Sequence, residues 1–404
     1  MNTSPSTGIG ADDTVQHLVR SWLAADADLL WIVPGRNLLL KHPKDIRAVL
    51  NDPRYTKETG ANRYFRSNVA DGVLTAPSPR HHTERRVLHA AVRDPLRLEQ
   101  VATKHITALI AKWQRHAMLG ERVDLTAAMS EWTFGVIAEV LFGWTEIEVL
   151  ATEMRAAMTV LDASGVMLPP PEQLAPVRDR VLHVIADMIA RQPPTERGPA
   201  LRALCEAGYG QDAVAAQVLT LLLAGHETTA TSLAWTWICL MRTPQVYARW
   251  QRRMRAAPRL ARALTGTITR EGLRLYPASW VIGRTASIDT HLGGIDIPAG
   301  CTITISPFVT HRHPAFWGPD PEAFRPERHE DKSVPGGAWL PFGVGPRMCL
   351  GLGYALTEMD IALSGLGQRF TFHSPDAESA SPRWRFTLGA PAMPVGIEPL
   401  GARL

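Results

Sequence analysis

The longest apolar stretch of the chain, residues 218–241, constrains the fold more than any other feature. It is long enough to cross a membrane as a helix, but a charged, threonine-rich centre around Glu227 interrupts it. Such a segment is expected to be a buried helix in a large protein. We predict that this helix begins near Asp212, a suitable cap, and ends near Arg242, because Pro244 cannot continue it.

Composition provides enough apolar residues to surround such a helix, because 45% of the 404 residues are hydrophobic. The formal net charge is only +4 and no long run of Lys or Arg occurs, so we expect no nucleic-acid partner. The four cysteines form no CxxC pair, which argues against zinc and disulfide-rich secreted proteins and favours a reducing cytoplasm. Residues 1–13 lack the features of a signal peptide or membrane anchor, and we expect them to be flexible.

The rest of the pattern is mainly helical, with a minor β portion at both ends of the chain. Helical periodicity covers three further segments, residues 82–142, 146–160 and 176–191. Short strand signals occur at residues 280–284, 294–297 and 302–306. Residues 192–210 are rich in Pro, Gly and charge and are predicted to be a surface connection. We find no internal repeat and expect a single catalytic domain, active as a monomer.

A glycine-rich loop brings one cysteine, Cys349, to the start of the last predicted helix. The N-terminus of a helix carries partial positive charge and free N–H groups, which stabilise a thiolate and lower its pKa. Glycines such as Gly343 allow further backbone N–H groups to approach the sulfur. A lone cysteine thiolate suits haem iron, whereas the alternative for a bare cysteine is a buried, inert side chain.

The centre of the long helix carries a second candidate site. Ala224 and Thr228 are four residues apart and share one helix face, where a small residue beside a hydroxyl leaves room for a diatomic ligand. The carboxylate of Glu227 lies next to Thr228 and can relay protons. The alternative is a helix with solvated charges whose hydroxyls bond its own carbonyl groups.

These motifs resemble those of the cytochrome P450 family. The signature F-x-x-G-x-R-x-C-x-G is matched without a departure by Phe342, Gly345, Arg347, Cys349 and Gly351. The resemblance implies the family's triangular helical fold with small sheets and a haem b cofactor. It also implies that Cys349 is the axial ligand, that Arg347 contacts a propionate and that Phe342 packs near the ligand loop.

The long helix resembles the oxygen-activating helix of the same family. The resemblance makes Glu227 and Thr228 the acid–alcohol pair, with Ala224 beside the cofactor. A further helix resembles the family's E-x-x-R helix, although most isolated pairs with this spacing are weak surface ion pairs. The resemblance implies a buried structural network of three residues: Glu271, Arg274 and Arg328.

The haem propionates require further cations. Arg284 follows a strand-like segment and matches an arginine of the family. Nearer the N-terminus, two overlapping H-x-x-x-R registers occur in the string HHTERR. We favour His82 with Arg86, because the family commonly has His-Thr, then Arg, then Leu two residues later. The register of His81 with Arg85 stays open.

The resemblance places the substrate pocket above the haem, opposite Cys349. Four pocket residues are predicted: Leu223, Trp280, Val281 and Ile282. Because the segments around them are mostly apolar, we expect a hydrophobic small molecule. Terpenoid-like, fatty-acid-like and aromatic secondary metabolites all stay open.

The predicted activity is that of a monooxygenase that uses O₂. No flavin or nicotinamide domain follows Cys349, so we expect electrons from a separate ferredoxin or flavodoxin and its NAD(P)H-dependent reductase. Three alternatives are weaker: a peroxygenase, a redox-neutral isomerase or dehydratase, and a non-enzymatic haem sensor. The acid–alcohol pair argues against the isomerase, which needs no proton relay.

Overall fold

The computed structural model describes residues 11–330 and 337–400. The expected flexibility of residues 1–13 therefore lies largely outside the described residues, although residues 11–13 belong to the first helix. The helices are α1 Ala11–Ala24, α2 Pro43–Asn51, α3 Gly60–Asn68, α4 Arg80–Ala91, α5 Pro95–Met118, α6 Leu125–Ile137, α7 Glu148–Ala163, α8 Pro171–Arg191, α9 Pro199–Glu206, α10 Gln211–Arg242, α11 Pro244–Ala256, α12 Pro258–Leu275, α13 Pro307–Thr310, α14 Pro314–Trp317 and α15 Leu352–Gly367.

The β portion is small and lies in four sheets. The strands are β1 Leu29–Val33, β2 Asn37–Leu40, β3 Tyr55–Thr56, β4 Val123–Asp124, β5 Ile282–Ala286, β6 Thr290–Leu292, β7 Ile295–Ile297, β8 Thr302–Ile305, β9 Phe370–His373, β10 Arg383–Trp384, β11 Leu388–Gly389 and β12 Pro394–Pro399. The largest sheet has the order β1-β2-β8-β5-β3, in which only β2 and β8 are parallel. The other sheets are β4-β12-β9, β10-β11 and β6-β7.

The helix α10 is the centre of the molecule, as its sequence predicts. Its residues are buried over most of the length between Val214 and Leu240, and it contacts α6, α8, α12 and α15. The end at Arg242 agrees with the sequence, but the cap is Gly210, and Asp212 lies in the first turn. Apolar residues occur on most sides of the helix because other helices cover most of its surface.

Residues 192–210 are more than a surface connection, which corrects the sequence-based expectation. They contain α9, a short helix that begins with Pro199 and buries Leu201 and Leu204 completely. Proline is well suited to the first turn of a helix, where its missing N–H has no partner to lose. The Pro and Gly content therefore marks the bounds of a packed helix.

By length and composition, one segment of the described chain could cross a membrane, Leu125–Phe142, which comprises α6 and the π-helical turn after it. Two thirds of this segment, 67%, is buried inside the structure. Such burial is typical of a core helix, and α6 lies along α10.

Candidate active site

The cysteine loop, residues 341–351, lies between α14 and α15 along the chain and is shaped by glycine. Gly345 has φ +80°, and a Cβ atom there would lie 2.7 Å from the carbonyl oxygen of Leu50, so no other residue fits without distortion. The N–H of Cys349 donates to the Phe342 carbonyl over 2.9 Å, which closes the loop just before α15 begins at Leu352. The side chain of Cys349 is accessible, unlike Cys239 and Cys301, which are buried.

The electrostatics of Cys349 differ from the sequence-based expectation. Although the side chain is accessible, the protein atoms around it desolvate the thiol and raise its pKa, while a hydrogen bond from the Gly351 N–H and the charge of Arg85 lower it in part. The expected net lowering by the helix terminus is therefore wrong for the protein chain alone. A thiol loses its proton when it binds a metal ion, so a bound metal would supply the missing stabilisation of the thiolate.

The middle of α10 is open on one side. Between Val214 and Leu240 nearly every residue is buried, yet Ala224, Glu227 and Thr228 are half-exposed. Glu358 of α15 hydrogen-bonds to Thr229, so the helix that follows Cys349 crosses α10 next to this opening. The structure thus brings the cysteine loop and the predicted acid–alcohol pair to one internal region.

The two members of the acid–alcohol pair make separate contacts in the structure. The hydroxyl of Thr228 donates to the Ala224 carbonyl over 2.8 Å. This bond is also expected if Thr228 only bonds the backbone of its own helix, which is the alternative given above. The carboxyl of Glu227 is hydrogen-bonded to Thr387. Burial and the nearby Asp162 raise the pKa of Glu227 to about 7. These two effects outweigh Arg385 and the Thr387 bond, which both lower the pKa. A carboxyl with this pKa can hold or release a proton near neutral pH.

The predicted network of Glu271, Arg274 and Arg328 is present, and its first two members are fully enclosed. Two parallel hydrogen bonds of 2.8 Å join the Arg274 guanidinium to the Glu271 carboxylate, and both side chains have no solvent exposure. Arg328 approaches the same carboxylate at 3.5 Å. Burial alone would raise the pKa of Glu271, but the hydrogen bonds from Arg274 and His329 outweigh burial and lower it to about 2.

Two histidines that the sequence analysis missed complete this network. His329 Nε2 lies 2.9 Å from Glu271 Oε2, and its position directly after Arg328 was the only signal in the sequence. His311 is buried, and burial lowers its pKa to about 3, so it is neutral. Its Nδ1 donates to the Arg274 carbonyl over 2.9 Å and its Nε2 accepts from the Leu340 N–H over 2.8 Å. The network thereby holds α12 against the segment that leads into the cysteine loop.

Three cations gather beside the cysteine loop, of which Arg284 is buried and Lys57 and Arg347 are half-buried. Arg284 on β5 is buried, and burial and Arg347 together lower its pKa to about 10. Lys57, which the sequence analysis missed, has its pKa lowered to about 7 by burial and by Arg284 and Arg347. Its ammonium group donates to the Leu74 carbonyl over 2.6 Å. Arg347 Nη2 donates to the Ala76 carbonyl over 2.9 Å, but Nη1 has no hydrogen-bond partner within residues 11–330 and 337–400.

The structure favours the other of the two histidine–arginine registers. His82 and Arg86 are exposed, so the favoured prediction is corrected. His81 is buried, and burial together with Arg347 and Arg85 lowers its pKa to about 3. Its Nδ1 lacks a hydrogen-bond partner among the described residues. Leu88, the leucine that had favoured the register of His82, is buried two turns after His81 on the same face of α4.

An apolar pocket opens between α3, α7, α10 and the β10–β11 hairpin. Its lining consists of Phe65, Val69, Ala70, Leu74, Thr75, Leu161, Thr220, Leu223 and Phe386. The predicted Leu223 is among them. Trp280 is not, because its ring packs edge-on against Trp384 and its N–H donates to the Arg385 carbonyl over 2.8 Å. Ile282 lies near the cysteine loop instead, 3.8 Å from a Cβ position built on Gly343, and Val281 is exposed.

Comparison with known proteins decides the family. A model of the cytochrome P450 family matches residues 29–167 and 177–395. The chain belongs to this family. Pentalenene oxygenase from Streptomyces avermitilis is 30% identical over 400 residues, which cover 89% of this chain and 87% of that protein. Cyclooctat-9-en-7-ol 5-monooxygenase from Streptomyces melanosporofaciens is 30% identical. The alignment covers 86% of this chain and 83% of that protein.

The fold of this P450 is also similar to a solved structure. The crystal structure of CYP175A1 from Thermus thermophillus matches with a TM-score of 0.79 and 25% sequence identity, over 96% of both chains. The predicted mainly helical fold with small sheets is therefore confirmed, as are the monooxygenase class and the haem-thiolate cofactor that the family implies.

The side chains of this P450 fit a haem. A haem carries two propionate groups. Arg284 is buried and Lys57 and Arg347 are half-buried, so these neighbouring cations favour negative charge of that kind, because uncompensated charge removed from water is strongly unfavourable. Unpartnered nitrogens on His81 and Arg347 provide free hydrogen-bonding groups at the same place, within the part of the chain that the structure describes. The accessible sulfur of Cys349 supplies the soft ligand that haem iron accepts.

We predict that Glu271→Gln lowers the free energy of unfolding by about 3–5 kcal/mol at neutral pH, because it leaves the enclosed Arg274 without its counter-charge. The low pKa of Glu271 contributes stability that is present above the ordinary value of 4.5 and is lost as the pH falls toward 2. The difference in unfolding free energy between wild type and variant should therefore become smaller as the pH falls. Urea unfolding of both proteins at several pH values measures it.

The matched control is Glu153→Gln, which breaks a more exposed ion pair with Arg180. It is expected to change the unfolding free energy by less than about 1 kcal/mol. Equal losses in the two variants would show that the enclosed position of Glu271 has no special importance.

Proposed function

We propose that this P450 monooxygenase oxidises a terpenoid-like hydrophobic molecule of secondary metabolism. Two observations support the substrate class. The pocket beside α10 is apolar, and two relatives carry the names pentalenene oxygenase and cyclooctat-9-en-7-ol 5-monooxygenase. Fatty-acid-like and aromatic molecules are the competing classes, and the experiment below distinguishes them.

The character of the pocket wall is the observation that carries this proposal. Thr75 and Thr220 are the polar residues of the lining. The Thr75 hydroxyl donates to the Ala70 carbonyl over 3.0 Å, and the Thr220 hydroxyl donates to the Ala216 carbonyl over 2.8 Å. With both protons engaged, the wall recognises shape and apolar surface, which suits a hydrocarbon skeleton. It offers no cation to hold a fatty-acid carboxylate among the lining residues that the structure describes.

We assign the haem to the region between the cysteine loop and α10, with Cys349 as the axial ligand. The cations that would hold its propionates are Lys57, Arg85, Arg284 and Arg347. His81, which is neutral with a pKa of about 3, would add a hydrogen bond from its ring. Phe342, Gly343, Gly351 and Ala224 would contact the cofactor, in agreement with the family resemblance. A haem bound there supplies the activation of O₂.

The protein contributes the protons. Glu227, with a pKa of about 7, can give its proton toward the Thr228 hydroxyl and regain one from solvent. The Thr228 hydroxyl, which now donates to the Ala224 carbonyl, can turn and donate into the cavity. The apolar pocket keeps bulk water from the reacting centre and holds the substrate there.

The electrons come from a separate redox partner, which we propose to be a ferredoxin or flavodoxin with its NAD(P)H-dependent reductase. Such small carriers are typical of the cytoplasm, where we expect this enzyme to act. Product formation with a surrogate ferredoxin system and NADPH, compared with H₂O₂ alone and with no oxidant, separates the monooxygenase from the peroxygenase and isomerase alternatives.

We predict that polycyclic terpene hydrocarbons shift the haem absorbance of the purified protein at lower concentration than straight-chain fatty acids or planar aromatic polyols of similar size. The physical reason is the apolar pocket wall, in which buried hydroxyl or carboxylate groups of a ligand would remain without partners. A titration of each class measures the dissociation constants. Tighter binding of the fatty acids would contradict the terpenoid assignment.

We predict that Arg85→Ala speeds the loss of haem to an excess of apomyoglobin by about tenfold to a hundredfold, since it removes a charged contact worth about 1.5–3 kcal/mol. Arg86→Ala, the adjacent residue of α4, is exposed and is expected to leave the rate unchanged. The reverse result would restore the register of His82 with Arg86.

We predict that the Thr228→Ala variant retains its haem. Its yield of product per NADPH consumed should fall by about tenfold or more, because the hydroxyl of the proton relay is missing. Ser232→Ala is the matched control, because its hydroxyl makes the same kind of bond to a backbone carbonyl, that of Thr228, over 2.7 Å on a buried part of the helix. A Thr228 variant with normal product yield per NADPH would remove the hydroxyl from the mechanism.

A further inference from the structure

The tip of the β10–β11 hairpin is held rigidly over α10. The Leu388 carbonyl accepts hydrogen bonds from the Thr231 hydroxyl over 3.0 Å and from the Trp235 N–H over 3.2 Å. On the other side, the Arg385 carbonyl accepts the Trp280 N–H over 2.8 Å. The three tip residues 385–387 therefore present their side chains from a firmly anchored backbone.

Each of the three tip residues contacts a different helix. The Arg385 guanidinium forms an ion pair with Asp162, the second-last residue of α7. Phe386 stacks on Phe65 of α3, with ring centroids 4.5 Å apart. Thr387 is hydrogen-bonded to Glu227. The hairpin tip thus joins the pocket wall to the carboxyl of the proton relay.

The charged groups around Glu227 come from three elements. Asp162 approaches from α7 and Arg385 from the hairpin, while Arg383, on the same hairpin, acts on Asp162. From its own helix, His226 Nε2 lies 3.9 Å from the carboxylate. His226 is buried, and burial lowers its pKa, so it is neutral and adds no charge. Asp162 and Arg385 are then the two charges that act on Glu227 with opposite sign.

These two charges have opposite effects on the same proton. The negative charge of Asp162 favours the protonated form of Glu227, and the positive charge of Arg385 favours the ionised form. Burial raises the pKa of Asp162 as well, although Arg385 and Arg383 oppose this rise. The ion pair fixes the positions of Asp162 and Arg385, and their distances from Glu227 determine how strongly each charge acts on its carboxyl.

We propose that Asp162 and Arg385 are positioning residues for proton delivery, and that their ion pair sets the charge of the Glu227 carboxyl in the working enzyme. This inference rests on the proton-relay role assigned to Glu227 under the proposed function. Asp162 also lies at the end of α7, next to Leu161 of the pocket wall. A substrate that displaces this part of α7 would change the ion pair and thereby the proton supply.

The experiment measures product formed per NADPH consumed by the haem-loaded enzyme across the neutral pH range, with one surrogate ferredoxin system for all variants. The yield should fall as the pH rises through the pKa of Glu227, and Glu227→Gln identifies this decline by abolishing it. Arg385→Gln should move the midpoint of the decline to higher pH by about one unit, and Asp162→Asn should move it to lower pH by about one unit. Shifts of opposite direction cannot arise from a general loss of structure.

Two further variants complete the test. Arg385→Lys retains the charge and should restore the wild-type midpoint. Arg155→Gln removes an exposed charge from α7, the helix that carries Asp162, and should leave the midpoint in place. If Glu227→Gln abolishes the decline but Arg385→Gln and Asp162→Asn leave the midpoint unchanged or move it in the same direction, this inference is wrong and the relay stands. If Glu227→Gln keeps the wild-type profile, the relay itself is wrong.

Discussion

Buried positive charge that needs a negative partner is the constraint on which the site depends. Three cations lie together in a region where burial opposes ionisation: Lys57, Arg284 and Arg347. Arg284 and Arg347 lower the pKa of Lys57, and Arg347 lowers the pKa of Arg284. Arginine side chains do not lose their protons under ordinary conditions, so the charge persists. A dianionic group bound between them resolves this conflict, and the haem of the P450 family carries one.

The rest of the structure keeps this region open and rigid. The enclosed pair of Glu271 and Arg274, with His329 and His311 beside it, holds α12 against the segment before the cysteine loop. Breaking such a pair is far more unfavourable than forming it is favourable, so it acts mainly to specify one arrangement. On the opposite side, α10 presents its small and polar residues at the opening and buries almost everything else between Val214 and Leu240.

The sequence predicted the parts of the site in which local chemistry demands particular residue types. The cysteine loop, the pair of Glu227 and Thr228, and the spacing of Glu271 and Arg274 are of this kind. Parts that depend on packing were not accessible in the same way. The two histidine–arginine registers differ by one residue, about 100° around a helix, and only the packing of α4 selects between them. Lys57 and Arg385 reach the site from coil and from a distant hairpin, where no local pattern marks them.

The central claim is that Cys349 binds the iron of a haem in this chain, and X-ray absorption at the iron edge tests it most directly. We predict that the purified wild-type protein shows one sulfur scatterer on the iron in addition to the porphyrin nitrogens, at about 2.3 Å as is usual for a metal–thiolate bond. Cys349→Ala should lack this scatterer. A wild-type spectrum with nitrogen or oxygen ligands alone would contradict the account.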